Sequence, residues 1–267
     1  MKTIVYTVCT YPNTLQQVAK NLLPNIQGME KWAKSINADF KCIDYVPQEV
    51  EDIFKEAGKK HPKIKQWETG NTEDVQRLHS RKAWSTKLEV FQDFYRSNYE
   101  KMLFLDCDMM PMIDAEDTVL INRRKAFQSF NLNSFDNFFY CNLKNNPANN
   151  HPLHVARKML LLEGYTNEQI NECQDRVNAQ VFCLTKNFKH NIGKLWSYDE
   201  LLKACLINRN CIREECFMTY TLHKSKIMEE INHNRLKPRL RLQDITRKDK
   251  VNYIYKNNWE KILEPYE

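Results

Sequence analysis

Residues 3–9 alternate and are β-branched or aromatic, which predicts a strand running into a Thr10-Tyr11-Pro12-Asn13 turn. From Thr14, a suitable N-cap, apolar residues recur at helical spacing: Leu15, Val18, Leu22, Leu23, Ile26, Met29, Trp32, Ala33 and Ile36. Residues 38–45 (ADFKCIDY) return to a strand pattern. This β-α-β opening predicts an α/β sheet. Residues 47–80 are polar and charged, with Pro47, Gly58, Pro62 and Gly70 among them, and read as a helix over 48–57 followed by a long loop.

Residues 81–97 (RKAWSTKLEVFQDFYRS) are amphipathic at helical spacing, with Trp84, Leu88, Phe91, Phe94 and Tyr95 inward. The apolar run Met102–Leu105 then predicts a strand buried on both faces, and Asp106 and Asp108 follow at its end. In an open α/β sheet ligands sit at the carboxyl ends of the strands, so chemistry belongs there. Further on the pattern predicts strands over 137–142 and 177–184 and helices over 151–173, 187–206 and 213–223. The end, VNYIYKNNWEKIL, reads as a strand followed by a helix. No internal repeat or linker divides the chain, which reads as one domain. Its nucleotide-binding half would be 1–110, its acceptor half 111–230 and its basic C-terminal segment 231–267.

Composition narrows the chemistry. The 267 residues contain only 5 glycines, none close enough to another to write a Gly-rich phosphate loop. No apolar run approaches the ~20 residues that span a bilayer. The N-terminal strand is too broken by Tyr6, Thr7, Thr10 and Tyr11 for a signal peptide. Nine cysteines form no C-x-x-C pair or zinc spacing, which suits reduced thiols and a cytoplasmic location. The net charge of +6 is concentrated late: residues 235–250 hold seven basic residues against Asp244 and Asp249. Such a segment suits either a polyanionic partner or a solubilising tail. Scarce glycine with 27 asparagines suggests an A/T-rich, viral or phage genome.

Two carboxylates two residues apart at a strand end can converge on one hard cation, with water and phosphate oxygens completing the shell of Mn²⁺ or Mg²⁺. The stretch STKLEVFQDFYRSNYEKMLFLDCDMMP resembles the core of the GT-A glycosyltransferases, most closely the family-8-like group of glycogenin and the bacterial galactosyltransferases. The first strand followed by CTYP resembles that family's nucleotide pocket, VNAQVFCL its F-N-A/S-G-V strand, and REECFMTYTL its D-E/Q-x-x-L segment. The resemblance spans residues 3–223 in order.

It implies a Rossmann-like GT-A domain with a mostly parallel sheet, and transfer of a hexosyl or pentosyl group from a UDP-sugar with retention of configuration. Thr7, Cys9, Thr10 and Tyr11 would hold uracil and ribose. Lys87, with Arg81 as a second candidate, would reach the diphosphate or donor sugar. Asp106 and Cys107 would line the nucleotide-sugar site, and Asp106 and Asp108 would hold the metal. Asn178 and Gln180 would line the sugar or acceptor site. Gln180 stands where glycine is usual and narrows that site. Glu214 and Glu215 match the acidic pair facing the anomeric carbon. The family's third metal ligand is a late histidine; here either His233 serves, or Tyr253 or Tyr255 stands in its place and two aspartates remain.

Other readings stay open at this point. Several of these residues also have ordinary structural roles: Tyr11 in a turn, Lys87 on a solvated helix face, Glu214 and Glu215 at a helix start. A strand followed by D-x-D also opens the haloacid-dehalogenase phosphatases, but Met110 stands where Thr or Val is wanted and the chain has no Gly-Asp or Asp-Asp. A non-catalytic nucleic-acid-binding protein is a third reading. It merges with the first if the acceptor is hydroxymethylated DNA rather than a glycan or protein.

Overall fold

The computed structural model describes residues 2–10, 16–107, 139–142, 151–171, 174, 176–186, 195–231 and 243–245. The strands are β1 (Thr3–Val8), β2 (Asp39–Ile43), β3 (Lys101–Leu105), β4 (Phe139–Asn142), β5 (Val177–Thr185) and β6 (Gln243–Ile245). They form one sheet in the order β2-β1-β3-β5-β4-β6. β1 pairs in parallel with β2 and β3, and β4 with β6, while β5 is antiparallel to β3 and β4. Only β5 therefore runs against the other five, and the fold is α/β with a mostly parallel sheet.

Alternation along the strands sorts the core into two layers. Val5, Leu103, Leu105 and Cys183 pack with Met29, Trp32 and Ala33 of α1 (Gln16–Ser35). Ile4, Tyr6, Met102, Phe104, Phe182 and Leu184 belong to the larger cluster on the other face. There the Phe182 ring stacks between Phe104 at 4.5 Å and Phe91 at 5.0 Å, and Trp196 reaches Phe91 at 4.2 Å. Offset aromatic contacts add to the burial of these large rings. Both sheet faces are covered, which explains why β1 and β3 are buried at every position.

The stretch expected as a long loop is helical. After α2 (Gln48–Lys60) come α3 (Pro62–Thr69) and α4 (Thr72–Ser85). Each apparent breaker sits at a boundary or a close approach. Pro62 opens α3, Asn71 caps α4 by accepting from the Asp74 N–H at 3.0 Å, and Gly58 lies where α2 packs on Ile64 and Lys65 of α3, with room there for a Cβ. The helix expected over 81–97 divides at Thr86, whose N–H and hydroxyl both donate to the Lys82 carbonyl, and α5 begins at Lys87 (Lys87–Arg96).

The helix expected over 151–173 also divides, into α6 (His151–Leu162) and α7 (Asn167–Asn171). Gly164 stops α6 with a φ of +92°, and Thr166 and Gln169 then exchange a capping box. α8 (Tyr198–Ile207) covers the end of its expected helix, whose first part lies outside the described residues. After a 3-10 turn at Arg209–Ile212, α9 (Glu214–Ile231) runs past the expected end at 223. Of the basic stretch 235–250, Gln243–Ile245 forms β6 at the sheet edge; its other residues and the expected elements at 251–263 lie outside the described residues. No helix among the described residues is long and apolar enough to cross a membrane.

Two glycines should behave oppositely. Gly164→Ala meets nothing within 4 Å but keeps an unfavourable φ, so it should cost about 1 kcal/mol in a urea titration. Gly58→Ala, inside α2, makes only ordinary contacts with Ile64 and Lys65 of α3, and the helix gains up to about 1 kcal/mol.

Candidate functional site

The carboxyl ends of β1 and β3 bring Thr10, Asp106 and Cys107 to one cleft, whose other wall is α4 with Ser80 and Trp84. The cleft encloses about 460 Å³ counting its open mouth. Lys87, the first residue of α5, reaches its floor. The Lys87 Nζ lies 2.7 Å from Asp106 Oδ1 and 3.4 Å from Glu214 Oε1, and donates to the Ala179 carbonyl at 3.2 Å. It also stands 5.3 Å from the Phe104 ring centre. The side chain is 6% exposed, against 21% for Asp106 and 15% for Glu214.

Position alone disfavours this lysine. A cation at the first turn of a helix opposes the helix dipole, and burial disfavours its charge again. Burial would lower its pKa, but Asp106 first and Glu214 second outweigh that and raise it, so the ammonium stays charged. Glu214 opens α9, where the dipole favours a carboxylate. Burial nevertheless raises its pKa, with Asp106 adding and Lys87 opposing. The site is one coupled cluster of two acids around one base, with Glu215 adding a more distant negative charge on Lys87.

Several expected residues converge here. Thr10, just past β1, lines the cleft, whereas Thr7 is fully buried within β1 and is not among the lining residues; among the described residues neither hydroxyl has a hydrogen-bond partner. A polar ligand in the cleft would satisfy the Thr10 hydroxyl. Cys9 follows β1 and donates its N–H to the Ile43 carbonyl. Asn178 and Gln180 flank Ala179, so their β5 backbone passes directly by Lys87. Tyr11, Asp108, His233, Tyr253 and Tyr255 lie outside the described residues. Arg81 does not line the cleft. Its guanidinium stacks on Trp84 at 4.3 Å, and burial first and Arg213 second push its pKa down to about 10.

The sequence did not mark Trp84 and Ser80 as cleft walls; Trp84 carried a signal for burial only. A second, apolar cavity of about 270 Å³ lies behind Lys87 and Glu214, lined by Leu88, Phe91, Leu201, Phe217 and Met218. Its apolar lining offers water few hydrogen-bond partners on the far side of the pair.

A divalent ion fits the donor chemistry of the cleft. Asp106 brings a hard carboxylate to the floor where, among the described residues, the Thr10 hydroxyl has no partner, and Mg²⁺-type sites need only one or two carboxylates with water and phosphate oxygens. Among the described residues no group of three His, Cys, Asp or Glu side chains could hold a metal alone.

No protein-family model matches the chain, and no curated protein does. Among solved structures it is similar to the apo form of mouse xyloside xylosyltransferase 1, at 10% identity, over 92% of this chain and 85% of that one, with a TM-score of 0.36. So loose an overlap says nothing about donor or acceptor.

Lys87→Met should leave Asp106 and Glu214 facing each other unpaired and cost about 3 kcal/mol in denaturant unfolding. Adding Glu214→Gln should restore part of that loss, so the double-mutant cycle should show coupling of about 1 kcal/mol or more.

Proposed function

We propose that this protein is a metal-dependent glycosyltransferase that moves a sugar from a UDP-sugar to an acceptor hydroxyl with retention. The observation that carries the reading is the buried Lys87 ammonium between Asp106 and Glu214, beside a cleft at the carboxyl ends of parallel strands. A cation buried among acids suits a reaction whose main electrostatic demand is a departing diphosphate. The resemblance of the Asp106-Cys107-Asp108 stretch to the GT-A core supports the same reading.

In this mechanism Thr7, Cys9, Thr10 and Tyr11 bind the uracil and ribose, with Tyr11 stacking on the base. Lys87 receives the diphosphate and holds its proton throughout, because its acidic neighbours keep it charged. Asp106 and Asp108 would hold Mn²⁺ or Mg²⁺, which supplies further neutralisation of the leaving group. Asn178 and Gln180 orient the sugar. Glu214, at the dipole-favoured start of α9 with Glu215 next to it, stabilises positive charge developing at the anomeric carbon.

The test is a panel of UDP-sugars scored for Mn²⁺-dependent UDP release. Wild type should release UDP from at least one donor. Asp108→Ala and Asp106→Asn should each lower that rate by about 100-fold or more, and Glu214→Gln should lower kcat with little change in KM. Full activity in Asp108→Ala overturns the site. Release of phosphate from an aryl phosphate, without UDP release, overturns the reaction class. Once a donor is found, DNA carrying hydroxymethylated cytosine can be offered against glycan and protein acceptors.

A further inference from the structure

Two spaces meet at the candidate site. The cleft at the ends of β1 and β3 holds about 460 Å³ counting its mouth, and the apolar cavity behind it about 270 Å³. Among the described residues two line both spaces, Trp84 and Lys87, which makes them the partition. Lys87 is held in place by Asp106 at 2.7 Å and Glu214 at 3.4 Å. Trp84 is held as well. One turn earlier on α4 the Arg81 guanidinium lies over its ring at 4.3 Å, and Arg81 Nη1 is itself fully enclosed. An indole stacked on a half-buried guanidinium makes a stiff wall.

The space behind the partition has a chemistry of its own. Leu88, Phe91, Phe217 and Met218 give it apolar walls, but Ser85 also lines it. Ser85 is 3% exposed, and among the described residues its hydroxyl has no hydrogen-bond partner. An unpaired buried hydroxyl among apolar walls suits a small group with one polar atom and one apolar end. An acetamido group has that make-up: a carbonyl to accept from Ser85 and a methyl to pack. Trp84 stands between such a group and this space.

We propose that Trp84 limits the size of the donor sugar, so that this protein takes a UDP-hexose or UDP-pentose with a bare hydroxyl next to the anomeric carbon and rejects the N-acetylhexosamines. This rests on the glycosyltransferase reading, in which the sugar lies between the diphosphate on Lys87 and the Glu214 carboxylate at the anomeric carbon. Glu214 lines the rear cavity, so the ring carbon next to the anomeric one is carried toward the partition. A hydroxyl there stays within the cleft. An acetamido group there has to enter space that the indole fills, and a clash with a stiff wall discriminates against the larger donor.

The test compares UDP-glucose, UDP-galactose and UDP-xylose with UDP-N-acetylglucosamine and UDP-N-acetylgalactosamine, by Mn²⁺-dependent UDP release from the full chain. Wild type should use at least one of the first three, and the N-acetyl donors at least about ten-fold less well. Trp84→Ala opens the partition and should raise kcat/KM for an N-acetyl donor, relative to the best unsubstituted one, by about ten-fold or more. Trp84→Leu keeps apolar bulk, guards against a folding defect in Trp84→Ala, and should shift the same ratio by a smaller factor. Adding Ser85→Ala to either variant should take back most of the gained N-acetyl use, whereas Ser85→Ala alone should leave the wild-type donor preference as it is. Wild type that uses N-acetyl donors as well as the unsubstituted ones overturns the proposal. An unchanged ratio in both Trp84 variants, with activity on unsubstituted donors retained or lowered, sinks the size limit alone and leaves the glycosyltransferase reading standing. A gain that Ser85→Ala does not reduce places the acetamido group elsewhere than behind Trp84 and also overturns it. If wild type releases UDP from no donor of the panel, the glycosyltransferase reading fails and the size limit falls with it.

Discussion

A buried ammonium at the wrong end of a helix organises this molecule. Lys87 opens α5, where the dipole opposes it, and its side chain is almost fully enclosed. It stays there charged because Asp106 and Glu214 contribute more than burial and the dipole take away. That balance ties three elements together: the end of β3, the start of α5 and the start of α9. The Ala179 carbonyl adds β5 to the set. Removing any one partner leaves another with a charge it cannot solvate.

The surrounding fold makes this balance affordable. Phe104, Phe182, Phe91 and Trp196 form a continuous aromatic layer under the site. Trp196 is itself fixed by donating to Thr221 at 2.6 Å, and the Val177 N–H donates to Thr219, so β5 and α9 are locked in register. Glu214 therefore arrives at Lys87 on two rigid elements rather than on a loop, which is the condition for a preorganised site. On the other side of β1, Tyr6 and Lys41 both bind Asp93 of α5, which keeps α5 seated against the sheet.

The reversed strand β5 has a consequence for the site. A parallel strand at that position would have brought its carboxyl end to the cleft. Running antiparallel, β5 instead passes Val177–Val181 alongside Asp106, with Leu105 opposite Val181. This is how residues near the start of β5 reach the same edge as the ends of β1 and β3.

Much of this was legible in the chain. The buried runs TIVYTV and KMLFL announce strands covered on both faces, because a sheet packed between helix layers needs apolar residues at every position. Asp106 after such a run predicts that the candidate site sits at the end of this strand. Helices over 62–85 were not legible, because Pro62, Gly58 and Gly70 carry the same local signal whether they interrupt a loop or bound two helices; only packing of α2 on α3 decides. Likewise Gly164 marks a helix stop only once its positive φ is known. Residue type fixed which groups could do chemistry: a lysine, acids and arginines. Their partnership was decided by the tertiary structure alone, since Lys87 and Glu214 stand 127 positions apart and electrostatic energy depends on distance and burial, neither of which a linear pattern records.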